Sequence, residues 1–183
     1  MIETIVLAII IAKIKGYNVK KILKCYSLYP VIIFEIIHII LQFQIVNGYY
    51  SNISLARSYK TIYMYLFLIP IFKYKQYLQG FIGSLFIFLG TFLNNLVIHF
   101  NNGRMPVFPS ISYYTGYVSL DSLAAFNNVY FLGDSTAKFK LLSDWIDVGY
   151  SVLSIGDILI RIFVFIIVFN TIKEINKGKS ILA

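Results

Sequence analysis

Two apolar runs, residues 76–100 and 153–172, bracket the one long block of this chain that water could wet, and that arrangement leaves few folds open. Each run is long enough for a hydrocarbon core of ~30 Å, which takes roughly 20 helical residues. Backbone polar groups inside lipid must be satisfied within the segment, so such runs are helices. The intervening residues 101–152 are too many for a bare connection and predict a small folded element or a functional loop. Further apolar runs lie at 2–14, 26–46 and 58–72; the last is broken near its end by Pro70 and just spans if Lys60 snorkels. Asn47-Gly48 marks a turn after the second run. The expectation is an all-α polytopic helical membrane protein, a single integral membrane domain over residues 1–183. It has about five transmembrane spans, with one long extracytoplasmic loop region, 101–152, before the last.

A soluble fold is hard to reconcile with 58% hydrophobic and 13% charged residues at a mean hydropathy of +0.76, because a domain of this size keeps much of its surface exposed. The net charge of +8 does not argue for a nucleic-acid partner, since the lysines form short clusters beside apolar runs. Their bias sets the topology. With the N-terminus outside, the inner segments hold Lys13, Lys15, Lys20, Lys21, Lys24, Lys73, Lys75, Lys173, Lys177 and Lys179. The outer segments hold Arg57, Lys60, Arg104, Lys138 and Lys140, together with Asp121, Asp134, Asp144 and Asp147. The chain is therefore expected in the cell membrane, multi-pass, with a cytoplasmic C-terminus. Residues 2–12 read as an uncleaved first span, because Glu3 precedes the run and lysines follow it, the reverse of a signal peptide. Tyr49, Tyr50, Tyr59, Tyr63, Tyr65, Tyr113, Tyr114, Tyr117 and Trp145 suit membrane-surface anchoring. Cys25 stands alone, which excludes an internal disulfide and a multi-cysteine metal site.

Polar residues within the runs carry the candidate chemistry. Glu35 and His38 have Glu-x-x-His spacing, but a dinuclear site needs that motif twice with further glutamates, so no metal and no other cofactor is expected. Counted from the outer ends, Glu35 and Arg161 differ in depth by about one helical turn and form a candidate intramembrane polar pair. Asp157, four residues before Arg161, has two readings. One is a local ion pair along the helix. The other is a catalytic dyad with Asp144 or Asp147, in which one carboxyl holds a proton while the other acts as base. Asn94, Asn95 and His99 gather near the end of the fourth run, where hydrogen bonds between helices account for them. Asn102 and Gly103 supply a left-handed turn, Pro106 fixes the chain after it, and Arg104 is placed to bind a loop carboxylate or a lipid phosphate.

The stretches Lys15-Gly16, Gly90-Thr91-Phe92-Leu93-Asn94-Asn95-Leu96-Val97-Ile98, Asn102-Gly103-Arg104-Met105-Pro106-Val107, Leu142-Ser143-Asp144-Trp145-Ile146 and Ser154-Ile155-Gly156-Asp157 together resemble a family of small bacterial integral membrane proteins of unknown function. That resemblance implies a membrane protein and leaves the activity open. The C-terminal part, with Asp144 in a loop and Asp157 opening the last helix, is also similar to lipoprotein signal peptidase, an aspartic endopeptidase. It implies Asp144 and Asp157 as the dyad. Ser154 stands where that family has asparagine, and Ser135 follows Asp134 where it has arginine. Three functions follow as expectations: a non-catalytic protein binding a lipid or a partner helix at the outer surface, an intramembrane aspartyl peptidase, and a small transporter subunit using Glu35, His38 and Arg161.

Overall fold

The computed structural model describes residues 1–47 and 61–178. Gly48, Tyr49, Tyr50, Arg57, Tyr59, Lys60 and Lys179, all used above, lie outside the described residues. Helix α1 spans Ile2–Ile14, α2 Tyr29–Val46, α3 Thr61–Lys73, α4 Tyr77–Phe100, α5 Ile111–Tyr114, α6 Leu120–Ala125 and α7 Ile155–Asn176. The block between α4 and α7 adds strands β1 Met105–Val107, β2 Tyr130–Leu132, β3 Ile146–Asp147 and β4 Val152–Leu153. The protein is thus mostly helical, with small sheets inside the wettable block.

Several helices end in the same six-residue closure, in which a left-handed residue turns the chain and the next N–H bonds back to a carbonyl five residues earlier. After α1, Gly16 takes φ +81° and the Tyr17 N–H donates to the Ala12 carbonyl at 3.0 Å. After α3, Lys75 takes φ +52° and the Gln76 N–H donates to Ile71 at 2.9 Å. After α4, Asn102 takes φ +57° and the Gly103 N–H donates to Ile98 at 2.9 Å. The pairs Lys15-Gly16 and Asn102-Gly103 are therefore helix stops.

Two compact units are formed. In the first, residues 1–39, 61–86 and 161–178, the core is Ala8, Ala12, Val31, Phe67, Phe163, Val164 and Ile167, each under 5% exposed. Phe67 packs edge to face on Phe163, with ring centroids 5.5 Å apart. The Phe163 ring in turn lies where a side chain at Gly83 would stand, so α4 and α7 approach closely there. In the second, residues 40–47 and 87–160, a side chain at Gly90 would overlap the Gly156 carbonyl and one at Gly156 would overlap Asn94, which permits the close crossing of α4 with the start of α7.

Three helices are long and apolar enough to cross a membrane: residues 26–44, 77–100 and 155–176. Only 22% and 17% of the spanning windows of the first two are buried within the protein, against 44% for α7, so α2 and α4 present apolar side chains outward. The expectation of five spans is not met among the described residues. Helix α1 has the expected bounds but only 13 residues. At about 1.5 Å per residue that is short of the core thickness. Helix α3 is interrupted at Phe67, because Pro70 has no N–H to offer the Leu66 carbonyl and its ring crowds that turn.

Candidate functional site

The stretch Asn101–Val107 is built outward from the end of α4. Buried Asn101 donates through Nδ2 to the Val97 carbonyl at 2.8 Å and to the Lys138 carbonyl at 3.0 Å, while its Oδ1 accepts the Lys138 N–H at 2.9 Å. One carboxamide thereby clasps a chain segment 37 residues away. Arg104 lies over the Phe131 ring, 5.2 Å from its centroid, and reaches the Asn127 carbonyl at 3.5 Å, so it meets a ring and a carbonyl. Strand β1 pairs in parallel with β2, Met105 opposite Tyr130 and Val107 opposite Leu132. On its other edge the Pro106 carbonyl accepts the Asp144 N–H at 3.2 Å and the Phe108 N–H donates to the Asp144 carbonyl at 2.7 Å. That edge bridge begins at the Pro106 carbonyl, so proline's missing N–H costs this short ladder nothing.

Asp144 is 6% exposed and lies directly before the hairpin of β3 and β4, in which Ile146 faces Leu153 and Asp147 faces Val152. The Trp145 N–H donates to the Leu153 carbonyl at 3.2 Å, one step nearer the open end. The hairpin thus returns the chain to Leu153, the residue before the Ser154 cap of α7, opposite the strand that follows Asp144. Tyr117, half-buried, belongs to this neighbourhood: burial, with the negative charge of Asp144 beside it, pushes its phenol up to about 12 against an opposing hydrogen bond with Gln42.

Asp157 occupies the third position of α7. Its N–H donates to the Ser154 hydroxyl at 2.9 Å and its Oδ2 accepts the Ser154 N–H at 3.4 Å, a reciprocal cap in which aspartate does the usual work of glutamate. The Ser154 hydroxyl donates onward to Asn94 Oδ1 at 2.8 Å, and Asn94 Nδ2 donates to Asp157 Oδ1 at 3.4 Å. Asp147 has a different task. Burial pushes its carboxyl up, but the Ser112 hydroxyl and the N–H groups of Ser112, Ser110 and Gly149, at 2.6 to 2.8 Å, outweigh it and hold the group at about 2. It anchors the start of α5 and stays ionised. Asn95 and His99 are exposed on α4, away from the Asn94 network.

In the first unit, Glu35 is 4% exposed and its carboxylate meets the Met1 amine at 3.1 Å, while Arg161 meets Glu3 at 2.8 Å and Glu3 meets the same amine at 3.2 Å. Glu35 and Arg161 thus belong to one ionic cluster, linked through Met1 and Glu3. Among the described residues no group of three or more His, Cys, Asp or Glu side chains is arranged to hold a metal ion.

The family's sequence model matches residues 19–169, a range holding the Asn101–Val107 corner, the Asp144 hairpin and the cap of α7. The chain belongs to DUF5317, a family of unknown function. No match to a curated protein or to a solved structure was found. In this DUF5317 chain, sequence reasoning gave no role to Asn101, Ser112 or Gln42 and took Tyr117 for a surface anchor. The pattern Ser154-x-x-Asp157 did carry a readable signal, that of a capping box. The bonds from Asn101 to Lys138 and from Ser112 to Asp147 carried none, because their partners are 37 and 35 residues apart.

Proposed function

We propose that this chain is a multi-pass integral membrane protein that holds the 101–154 block at the outer membrane surface, where it binds a lipid or a partner helix without catalysing a reaction. One observation carries the reading: several buried polar side chains of the block are engaged in its own construction, while a set of large apolar ones faces outward. Asn101, Asp147 and the Ser154–Asp157 cap are bonded within the block, whereas Tyr114 is 94% and Leu141 78% exposed, with Trp145 and Tyr150 near 45%. Exposed apolar groups on a polar framework suit the boundary between headgroups and acyl chains. Along the chain, the lysines of the α3–α4 turn and of the α7 end flank the ends of α4 and α7 that do not join the block, and the positive-inside bias supports an outward block.

The test has two arms. In a Cys25→Ser background, Asn128→Cys, at an exposed turn position, should label with an impermeant thiol reagent on intact cells; protection until the cells are opened would overturn the orientation. A photo-crosslinking residue at Leu141 should then yield an adduct with a lipid or with a membrane protein, and recovery of neither would overturn the binding role.

A second reading, an intramembrane aspartyl peptidase, draws on the burial of Asp144 and on the hairpin that follows it and leads into the Asp157 cap of α7. There one carboxyl would take a proton from the attacking water while the other, protonated, hydrogen-bonds the peptide carbonyl. Under that reading Asp144→Asn and Asp157→Asn each abolish processing of a lipoprotein precursor at unchanged expression. Processing that survives both removes it.

A further inference from the structure

The lysines of the first unit form a layer tied together by polar bonds, and nothing above gives that layer a use. The segment Val19–Lys24 is a 3-10 helix capped by Asn18, whose Oδ1 accepts the Lys20 N–H at 3.1 Å. Asn18 is itself fastened to the end of α7: its N–H donates to Asn176 Oδ1 at 2.9 Å, and Asn176 Nδ2 donates to its carbonyl at 3.4 Å. Cys25, directly after the segment, contacts the Tyr74 hydroxyl at 3.3 Å and so joins it to the α3–α4 turn. Gln76 then bonds Thr171 at 2.8 Å and ties that turn to α7. Three stretches of chain carrying Lys20, Lys21, Lys24, Lys73, Lys75 and Lys173 are thereby held side by side.

Opposing charge is scarce. Among the described residues of these stretches the acid is Glu174, and it is bonded to Lys177 at 2.7 Å. Between the lysines stand apolar groups that no soluble surface needs: Leu23 is 76% and Tyr26 71% exposed. A short helix with lysines and uncovered apolar side chains, fastened to the end of α7 and to the α3–α4 turn, has the make-up of an interfacial element.

We propose that this layer is a binding surface for the anionic phospholipid headgroups of the leaflet it borders, with Val19–Lys24 lying in the interface. Lysines held at a negatively charged leaflet gain about fivefold in binding each at physiological salt, so a fixed group of them selects anionic over zwitterionic lipid. The preformed layer adds to that selectivity, because its backbone is ordered before lipid arrives. The inference rests on the membrane-embedded reading above.

The full chain, reconstituted in nanodiscs of equal parts phosphatidylglycerol and phosphatidylcholine and released for native mass spectrometry, should retain phosphatidylglycerol in preference. Joint replacement Lys20→Gln, Lys21→Gln and Lys24→Gln should cut that preference on the order of a hundredfold, and the Lys→Arg triple should keep it. Raising the salt to about 1 M should weaken it, since screening then acts within ~3 Å. Equal retention of both lipids, a Gln triple as selective as the parent, or full competition by inorganic phosphate at matching concentration would each overturn the inference. A chain that inserts without preference defeats this inference alone, whereas one that enters neither bilayer defeats it together with the membrane reading.

Discussion

Lys20 and Lys24 in the first unit are exposed with few bonds to their side chains, whereas Asn101, Asp147 and Asp157 in the second each hold two or more partners. Both regions are polar and both border apolar helices, yet polarity does different work in them. In the lysine layer the ties are made by the uncharged groups of Asn18, Asn176, Tyr74 and Gln76, and the charges of Lys20 and Lys24 are left exposed. In the 101–154 block the side-chain polar groups are themselves the ties. Charge that stays solvated contributes little to folding and is available to a partner. Polar groups that are buried and bonded hold the fold, and removing one leaves its partners stranded.

Substitutions can break or sharpen this contrast. The largest effect is expected at the close crossing of the second unit: Gly156→Val places a side chain against Asn94 and the Gly90 carbonyl, neither able to withdraw. A loss of about 3 kcal/mol is expected, read as a lowered unfolding midpoint in detergent. Next comes Asn101→Ala, which removes the clasp on Lys138 and the bond to Val97 and should cost about 2 kcal/mol on the same assay, with earlier proteolysis near Lys138.

Asp147 follows, with an effect that depends on pH. Its folded value of about 2 lies below the ordinary 3.8, so its contribution is complete above about pH 4 and is lost as the pH falls from there through 2. The parent should lose stability across that window, and Asp147→Asn should show a lower but flatter profile. Smallest is the Lys20→Gln, Lys21→Gln, Lys24→Gln triple, expected to leave the unfolding midpoint in neutral detergent within about 0.5 kcal/mol of the parent. A large loss there would show that the lysines act as ties after all, and the contrast would fail.

Much of the local grammar was legible. The bounds of α1, the left-handed corner at Asn102-Gly103 and the folded nature of the long block all follow from residue types in short windows, whereas the stop at Gly16 was not read. Pro70 marked the break in α3. The span count was over-read, because hydropathy registers that a segment is apolar and does not register that 13 residues fall short of a bilayer. Roles at the candidate site were less legible. The i to i+4 pairing of Asp157 with Arg161 was a sound local rule, yet Arg161 reaches Glu3, 158 residues away, while Asp157 serves as a helix cap. Asp144 and Asp147 look equivalent in sequence. One is buried beside Tyr117 and the other is saturated by serines, and only the fold tells them apart.

What the sequence by itself determined is what short-range chemistry dictates: helices where apolar runs are long, stops where Gly or Asn can turn left-handed, and lysines gathered at helix ends. What only the tertiary structure decided is which distant groups meet, as Asn101 meets Lys138, Ser154 meets Asn94, and Asn18 meets Asn176. The physical reason is that capping and periodicity act within a few residues along the chain. A bond between segments is set instead by how the helices and the hairpin pack, which no local window of residues contains.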